Sequence, residues 1–225
     1  MSTEHVKGPS TFVMVRALAG VATLSGLLIV LVYQLTFPII KINKAEFLKA
    51  SIFKVLDGTK DFQKFVNKDG KLEKIPNEQE TPDAYFACYD DSGKLIGFAI
   101  QAAGMGFADV IKVLYGYSIE KEAIVGHLVL ETKETPGLGD KIEKDPQFLK
   151  NFDELDVKVT DDKKSLVNLI QTVKKGEKTE KWQIDTITGA TITSKAIGRI
   201  LHESTKEKIP VIQQNLQNLM PPRAN

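Results

Sequence analysis

The feature that most constrains this chain is an uncharged apolar run over residues 17–37. At about 1.5 Å of rise per residue, a helix of this length spans the hydrocarbon core of a bilayer. A cleaved signal peptide would have a shorter apolar region and a small-x-small cleavage site, whereas Tyr33 here stands at interfacial depth before Pro38. We therefore predict a short N-terminal tail over 1–16, a retained transmembrane helix over 17–37 and one further domain over 38–225.

Charge counting gives a weak prediction of orientation. Lys7 and Arg16 precede the apolar run, and four lysines follow it closely, at positions 41, 44, 49 and 54. The positive-inside rule applied to these residues would place the large domain in the cytoplasm. Long domains translocate largely regardless of charge, so the count carries little weight.

Composition excludes several functional classes. The 225 residues carry a net charge of +1, with no basic excess to grip a phosphate backbone, so we expect no nucleic-acid partner. Cys88 is the single cysteine, which excludes an internal disulfide or a cluster of thiolate ligands. The three histidines match no metal-ligand spacing, so we expect no metal.

Hydrophobic patterning predicts an α+β domain after the anchor. Residues 41–56 have near-helical apolar spacing and predict a second helix that leaves the membrane directly. A long amphipathic helical region begins near Thr193 and is interrupted by Pro210. Between them, β-rich runs predict a hairpin and further strands, at 84–89, 95–101, 110–117, 123–131, 155–160 and 166–173. We expect Cys88 to be a buried side chain in that hairpin.

A cluster of hydroxyl side chains precedes the last helix. Residues 186–194 hold five of them around Gly189 and Ala190, where small residues let the backbone approach a ligand. A helix N-terminus exposes unpaired N–H groups and the positive end of the dipole, so it would stabilise a phosphate. The alternative is that a threonine or serine of the cluster only caps the helix. The Walker phosphate loop is absent.

Residues 185–191 resemble the D-x-x-[ST]-G-A-[ST] acceptor motif of the FMN-binding domain family, whose fixed positions are here Asp185, Thr188, Gly189, Ala190 and Thr191. The resemblance implies that a flavin transferase moves FMN from FAD onto Thr191 and leaves a phosphoester. It also implies that Asp185, Thr188, Gly189 and Ala190 form the recognition frame around the attachment point.

A second segment, residues 134–139, reads E-T-P-G-L-G and resembles a loop that packs near the isoalloxazine ring in the same family. Pro136 pre-sets the first central position of a turn and Gly137 suits a positive φ at the second, which predicts a type II turn. The resemblance implies flavin contacts from Glu134, Thr135, Gly137, Leu138 and Gly139. Residues 104–112 are also similar to the family, although a loop leading into a strand explains them equally well.

Together with the anchor, these motifs resemble the G subunits of Rnf membrane complexes along essentially the whole chain. That resemblance implies an electron carrier with covalent FMN, with other Rnf subunits as partners, in a complex that couples ferredoxin and NAD redox chemistry to Na⁺ or H⁺ movement. It implies a domain outside the cytoplasm, against the lysine count, and no catalytic residue in the hydrolase sense. The alternatives are the C subunit of the sodium-pumping NADH:quinone reductase and a non-redox anchored scaffold in which Thr191 is only a helix cap.

Overall fold

The computed structural model describes residues 10–77, 79, 81 and 83–219. The chain divides into two compact units, one ending at Phe47 and the other spanning Leu48–Asn225. Most of the predicted tail over 1–16 lies outside the described residues, and the first helix begins at Thr11.

Helix α1 spans Thr11–Val55 and contains Pro38. It is long and apolar enough to cross a membrane, with a mean hydropathy of 2.2 in its most apolar window. The prediction of two separate helices was wrong, since one helix continues through Pro38. Proline costs one backbone hydrogen bond, but neighbouring groups and small local adjustments compensate for it in apolar helices. The apolar spacing beyond residue 39 is therefore the continuation of the anchor helix.

The second unit is built on a seven-stranded antiparallel sheet in the order β2-β1-β3-β4-β5-β6-β7. Its strands are β1 Asp61–Lys68, β2 Lys71–Ile75, β3 Ala84–Tyr89, β4 Leu95–Met105, β5 Val110–Ser118, β6 Ala123–Glu131 and β7 Leu155–Asp156. Two short parallel strands, β8 Gln171–Val173 and β9 Gln183–Asp185, form a separate pair. Helices α2 Lys141–Lys144 and α3 Pro146–Leu149 and the 3₁₀ turn Lys150–Phe152 follow β6.

Helix α4, Thr191–Leu219, packs on one face of the large sheet and closes the main hydrophobic core. Hydrogen bonds fix its register: Tyr115 shares one with Ser204 at 2.8 Å, and Gln213 donates to Tyr117 at 2.6 Å. Pro210 lies inside this helix and does not interrupt it, contrary to the prediction.

The opposite face of the sheet is covered by the end of α1. Ile52, Val55 and Leu56 are buried there against Phe86 and Leu114. The backbones touch directly, because a Cβ atom on Gly116 would lie 2.0 Å from the carbonyl oxygen of Val55. Only glycine permits this approach.

The prediction of an apolar N-terminal helix followed by a mixed α+β domain is confirmed. The hairpin and the strands near 110–117 and 123–131 are present, and Cys88 is buried and unpaired. The run at 155–160 contributes only β7, the run at 166–173 contributes only β8, and an isolated bridge pairs Val159 of the first run with Leu166 of the second. Strands β1, β2 and β9 were not predicted from the sequence.

Candidate functional site

The predicted acceptor motif forms a tight turn between β9 and α4. Ala190 N–H donates to the Ile187 carbonyl at 3.1 Å, and Gly189 has φ +83°. Ser194, one turn into the helix, accepts from Ile187 N–H at 3.1 Å and donates to the Ala190 carbonyl at 2.9 Å. Its hydroxyl ties both ends of the turn together, so the backbone around Thr191 is fixed before any ligand binds.

Burial separates the five hydroxyl side chains of the cluster. Thr186, Thr193 and Ser194 are buried, whereas Thr188 and Thr191 are exposed. Thr191 is the first residue of α4, and its hydroxyl donates to the Ile187 carbonyl at 3.3 Å. A capping side chain would accept from a helix N–H instead. The geometry therefore leaves the Thr191 oxygen open to an incoming group and does not give it the role of a cap.

Asp185, the first residue of the motif, is half-buried, and both its carboxylate and its backbone N–H are hydrogen-bonded within the fold. Its carboxylate accepts from Lys178 N–H at 3.0 Å, and its own N–H donates to Asn151 at 3.0 Å. A cavity of about 40 Å³ lies beside Asp185 and Thr186. That volume holds a water molecule or two and not a flavin.

The segment 134–139 folds as the sequence predicts. Gly137 has φ +79°, and the N–H of Leu138 donates to the Thr135 carbonyl at 3.1 Å. Thr135, Gly137 and Leu138 are exposed, whereas Gly139 is buried. The exposed tip of this turn can touch a ligand.

Glu134 joins the turn to two other segments. Its side chain is only 6% exposed. One carboxylate oxygen accepts from the N–H groups of Phe107 and Ala108, at 2.7 and 3.0 Å, and the other accepts from the Thr193 hydroxyl at 2.7 Å. The two motifs singled out in the sequence therefore lie side by side, linked by one buried carboxylate.

Two glycines make room for this carboxylate. A Cβ atom on Gly106 would lie 2.4 Å from one Glu134 carboxylate oxygen, and one on Gly139 would lie 2.5 Å from the other. Sequence reasoning assigned Glu134 and Gly139 to flavin contact and did not identify Thr193 as a partner. The segment 104–112, with its two glycines, was the sequence signal for this arrangement, because it supplies the N–H groups of Phe107 and Ala108 that bind Glu134.

Large apolar side chains stand exposed on the three segments that Glu134 joins. The exposed fractions are 55% for Met105, 63% for Phe107, 52% for Leu138 and 60% for Ile192. Isolated apolar side chains on a surface are normal, but several on adjoining segments form a ligand or partner surface. A flat, mostly apolar ring attached at Thr191, next to Ile192, fits this surface, and the helix N-terminus fits its phosphate.

Comparison with known proteins supports this interpretation of the site. Residues 106–206 match the FMN-binding domain family, an interval that contains the glycine segment, the turn and the acceptor motif. The G subunit of the ion-translocating oxidoreductase complex of Methanosarcina acetivorans is 28% identical over 203 residues, which are 90% of this chain and 94% of that protein. The G subunit of the Na⁺-translocating ferredoxin:NAD⁺ oxidoreductase complex of Acetobacterium woodii is 32% identical over 64% of this chain and 65% of its own length.

Solved structures share the fold. The crystal structure of Shewanella oneidensis NqrC aligns with a TM-score of 0.59 at 19% identity, over 79% of this chain and 98% of that chain. The C subunit of the Na⁺-translocating NADH-quinone reductase from Parabacteroides distasonis aligns with a TM-score of 0.52 at 22% identity, over 73% and 80%.

Residues 106–206 thus resemble an FMN-binding domain, and they follow a long apolar N-terminal helix. In sequence the chain is similar to Rnf G subunits, and in fold it is similar to NqrC.

Proposed function

We propose that the protein is the flavin-carrying subunit of an ion-translocating ferredoxin:NAD oxidoreductase complex, with FMN attached covalently to Thr191. The sequence relatives named above are G subunits of such complexes, and one of them aligns over nearly its full length. The NqrC structures share the fold at identities too low to transfer partners. We therefore assign the chain to the Rnf type of complex.

The single observation that carries the proposal is the placement of Thr191. Its hydroxyl is exposed at the first residue of α4, beside the turn at 134–139 and next to the exposed side chain of Ile192. Three of the four neighbouring hydroxyls of the motif region are buried, so they are unavailable to a modifying enzyme. Of the two exposed ones, Thr191 occupies the acceptor position and Thr188 precedes the turn glycine.

The attachment reaction is balanced in atoms and charge when FAD donates the FMN group. The Thr191 oxygen forms a bond to the FMN phosphorus, the pyrophosphate P–O bond of FAD breaks, AMP leaves and the hydroxyl proton passes to water. A flavin transferase would supply the catalysis, so this chain needs only an open hydroxyl on a rigid turn. Asp185, Thr188, Gly189 and Ala190 would present that hydroxyl.

FMN supplies the redox chemistry when bound, because it takes up and releases one or two electrons. The protein's own residues would bind and orient it. Leu138, Phe107 and Ile192 would cover the ring, and Thr135 and Gly137 would shape its edge. Glu134, which packs against the buried Gly139, would hold these segments in register. No group of the chain has to act as acid, base or nucleophile during electron transfer.

We further propose that residues 17–37 lie in the membrane and that the FMN-binding domain, within 38–225, lies on the extracytoplasmic side. The side follows from the proposed modification, since an exported flavin transferase acts there. A covalent tether suits that location, because free FMN would be lost to the surroundings.

Substitution of the acceptor tests the proposal. In the full chain produced with a flavin transferase, Thr191→Ala should abolish covalent FMN, whereas Thr191→Ser should retain some. Thr186→Ala and Thr193→Ala should remain modified. In-gel flavin fluorescence after acid denaturation, with intact mass, gives the readout. A Thr191→Ala variant that stays covalently yellow overturns the attachment site, and a colourless wild-type chain would favour the scaffold alternative.

A further inference from the structure

A lysine outside both sequence motifs reaches the acceptor turn. A Cβ atom placed on Gly189 would lie 4.0 Å from the Nζ atom of Lys141, and no other described side chain comes as close. Lys141 is the first residue of α2, and its N–H donates to the Leu138 carbonyl at 3.4 Å. The turn at 134–139 therefore places this ammonium group beside the segment that carries Thr191.

Two lysines near Lys141 along the chain are already paired with carboxylates. Lys144 binds Asp140 at 2.6 Å and Lys133 binds Asp109 at 2.5 Å. Within the part of the chain that the structure describes, Lys141 has no ion-pair partner. Lys141 is partly buried, and its ammonium group is thus available to an anion at the acceptor turn.

The group that Thr191 would carry is an anion. A phosphodiester between Thr191 and FMN keeps one negative charge at every physiological pH. Its oxygens would lie at the N-terminus of the 29-residue helix α4, where the dipole favours negative charge. A single lysine ammonium at this position would neutralise the charge.

We propose that Lys141 is a positioning residue that pairs with the phosphodiester of the attached FMN and holds the flavin against the Leu138 side of the site. This inference rests on the attachment proposed above. The turn at 134–139 would then serve the flavin twice, through the apolar side chain of Leu138 and through the ammonium group of Lys141, two residues after Gly139.

Four variants of the full chain, made with a flavin transferase, test the assignment. Lys141→Gln removes the charge and Lys141→Arg keeps it. Lys144→Gln is the matched control on the same short helix, and Lys195→Gln tests the rival lysine one turn after Thr191. The readouts are the phosphorus NMR resonance of the attached FMN in a phospholipid-free detergent and the decay of flavin fluorescence anisotropy.

We expect Lys141→Gln to shift the phosphorus resonance and to lower the proportion of immobilised flavin about two- to fivefold, the range of a partly exposed ion pair. Lys141→Arg should restore both, and Lys144→Gln and Lys195→Gln should match the wild type. If Lys141→Gln folds but takes up no FMN while Lys141→Arg does, the charge acts already at attachment, which also supports the assignment.

Unchanged resonance and anisotropy in Lys141→Gln would overturn it, as would loss of FMN in both Lys141 variants or an effect confined to Lys195→Gln. If the wild-type chain itself lacks the phosphorus resonance, the attachment to Thr191 has failed and the role of Lys141 fails with it. The wild-type spectrum therefore separates the two failures.

Discussion

Glu134 and Thr193 lie 59 residues apart in sequence and share a buried hydrogen bond of 2.7 Å. Thr193→Val keeps the shape and removes the donor, so it should lower the free energy of unfolding by about 1–3 kcal/mol. Covalent FMN should persist, because Thr191 is untouched. Urea denaturation with intact mass measures both.

The matched test of that bond is the double-mutant cycle with Glu134→Ala, which removes the acceptor. The cost of Thr193→Val should shrink in the Glu134→Ala background, since the two residues share one interaction. Additive costs would contradict a direct link between the two motifs.

Gly137 offers a second prediction, since its φ of +79° is unfavourable for a branched side chain. Gly137→Val should shift the flavin midpoint potential by disturbing the ring's surroundings. Gly70→Val is the control, because Gly70 has a φ of +85°, equally open space and a place in the remote turn between β1 and β2. Potentiometric titration of both should show a shift in the first only, and equal potentials would remove the turn from the site.

His127 gives a pH-dependent prediction. Burial lowers the pKa of His127 to about 4 from its ordinary value near 6.5, and the ring stacks on Phe152 at 4.4 Å. Because the unfolded chain takes up the proton first, the stability gained from neutral His127 is complete above pH 6.5 and is lost as the pH falls towards 4. From pH 7 to 4.5, the wild type should lose about 2 kcal/mol more than His127→Phe. Parallel losses in thermal melts at the two pH values would contradict this.

At the scale of single residues, local chemistry was readable from the sequence and distant contacts were not. Pro136 and Gly137 specify their turn through their own φ preferences, and a motif singled out Thr191 as the proposed acceptor. The hydrogen bond between Glu134 and Thr193 forms because the fold brings two distant segments together, and no local sequence pattern indicates such a contact. The approach of Lys141 to Gly189 was not predicted for the same reason.

At the scale of elements, the sequence pattern of α1 correctly predicted helix, but the prediction wrongly divided that helix into two. Pro38 and the change to charged residues suggested two helices, but the apolar spacing continues on both sides of the proline and the helix with it. Strands β1 and β2 escaped prediction because each contains two lysines and neither has a regular alternation of apolar and polar residues; β2 is the edge strand of the sheet and β1 lies next to it.

The end of α1 yields a prediction about truncation. A chain beginning at Ile39 keeps Ile52, Val55 and Leu56, which are buried against the sheet, and should fold, remain soluble and accept FMN when exported with a transferase. A chain beginning at Gly58 loses all three, about 5–8 kcal/mol of apolar burial, which is comparable to the stability of a whole domain.

Circular dichroism and thermal melts should show a folded first chain and an unfolded or aggregated second one. Equal stability would mean that the end of α1 does not belong to the domain. The first chain should also fail to join the membrane complex, since helix contacts in the bilayer are the expected docking surface. Normal assembly without residues 1–38 would place docking in the domain instead.

At the scale of the whole molecule, the anchor and the mixed class of the domain were predictable because hydropathy and strand patterning are averaged over many residues. The order of the seven strands was not, since pairing depends on contacts between distant segments. The site lies where the loop after β4, the turn after β6 and the start of α4 meet. That meeting point is a property of the complete fold.

The proposed orientation predicts the outcome of proteolysis. In intact cells with a permeabilised outer layer, added protease should degrade the chain beyond the anchor while a cytoplasmic marker protein stays intact. Protection until the inner membrane is lysed would place the domain in the cytoplasm, as the lysine count suggests.

The most direct test of the central claim is peptide mapping of the wild-type protein purified from its membrane. Trypsin cleavage after Lys181 and Lys195 releases one peptide that contains Asp185 and all five hydroxyl residues of the cluster. We predict that this peptide carries the mass of FMN less one water and that its fragment ions place the addition on Thr191. An unmodified peptide, or an addition on Thr186, Thr188, Thr193 or Ser194, would contradict the account.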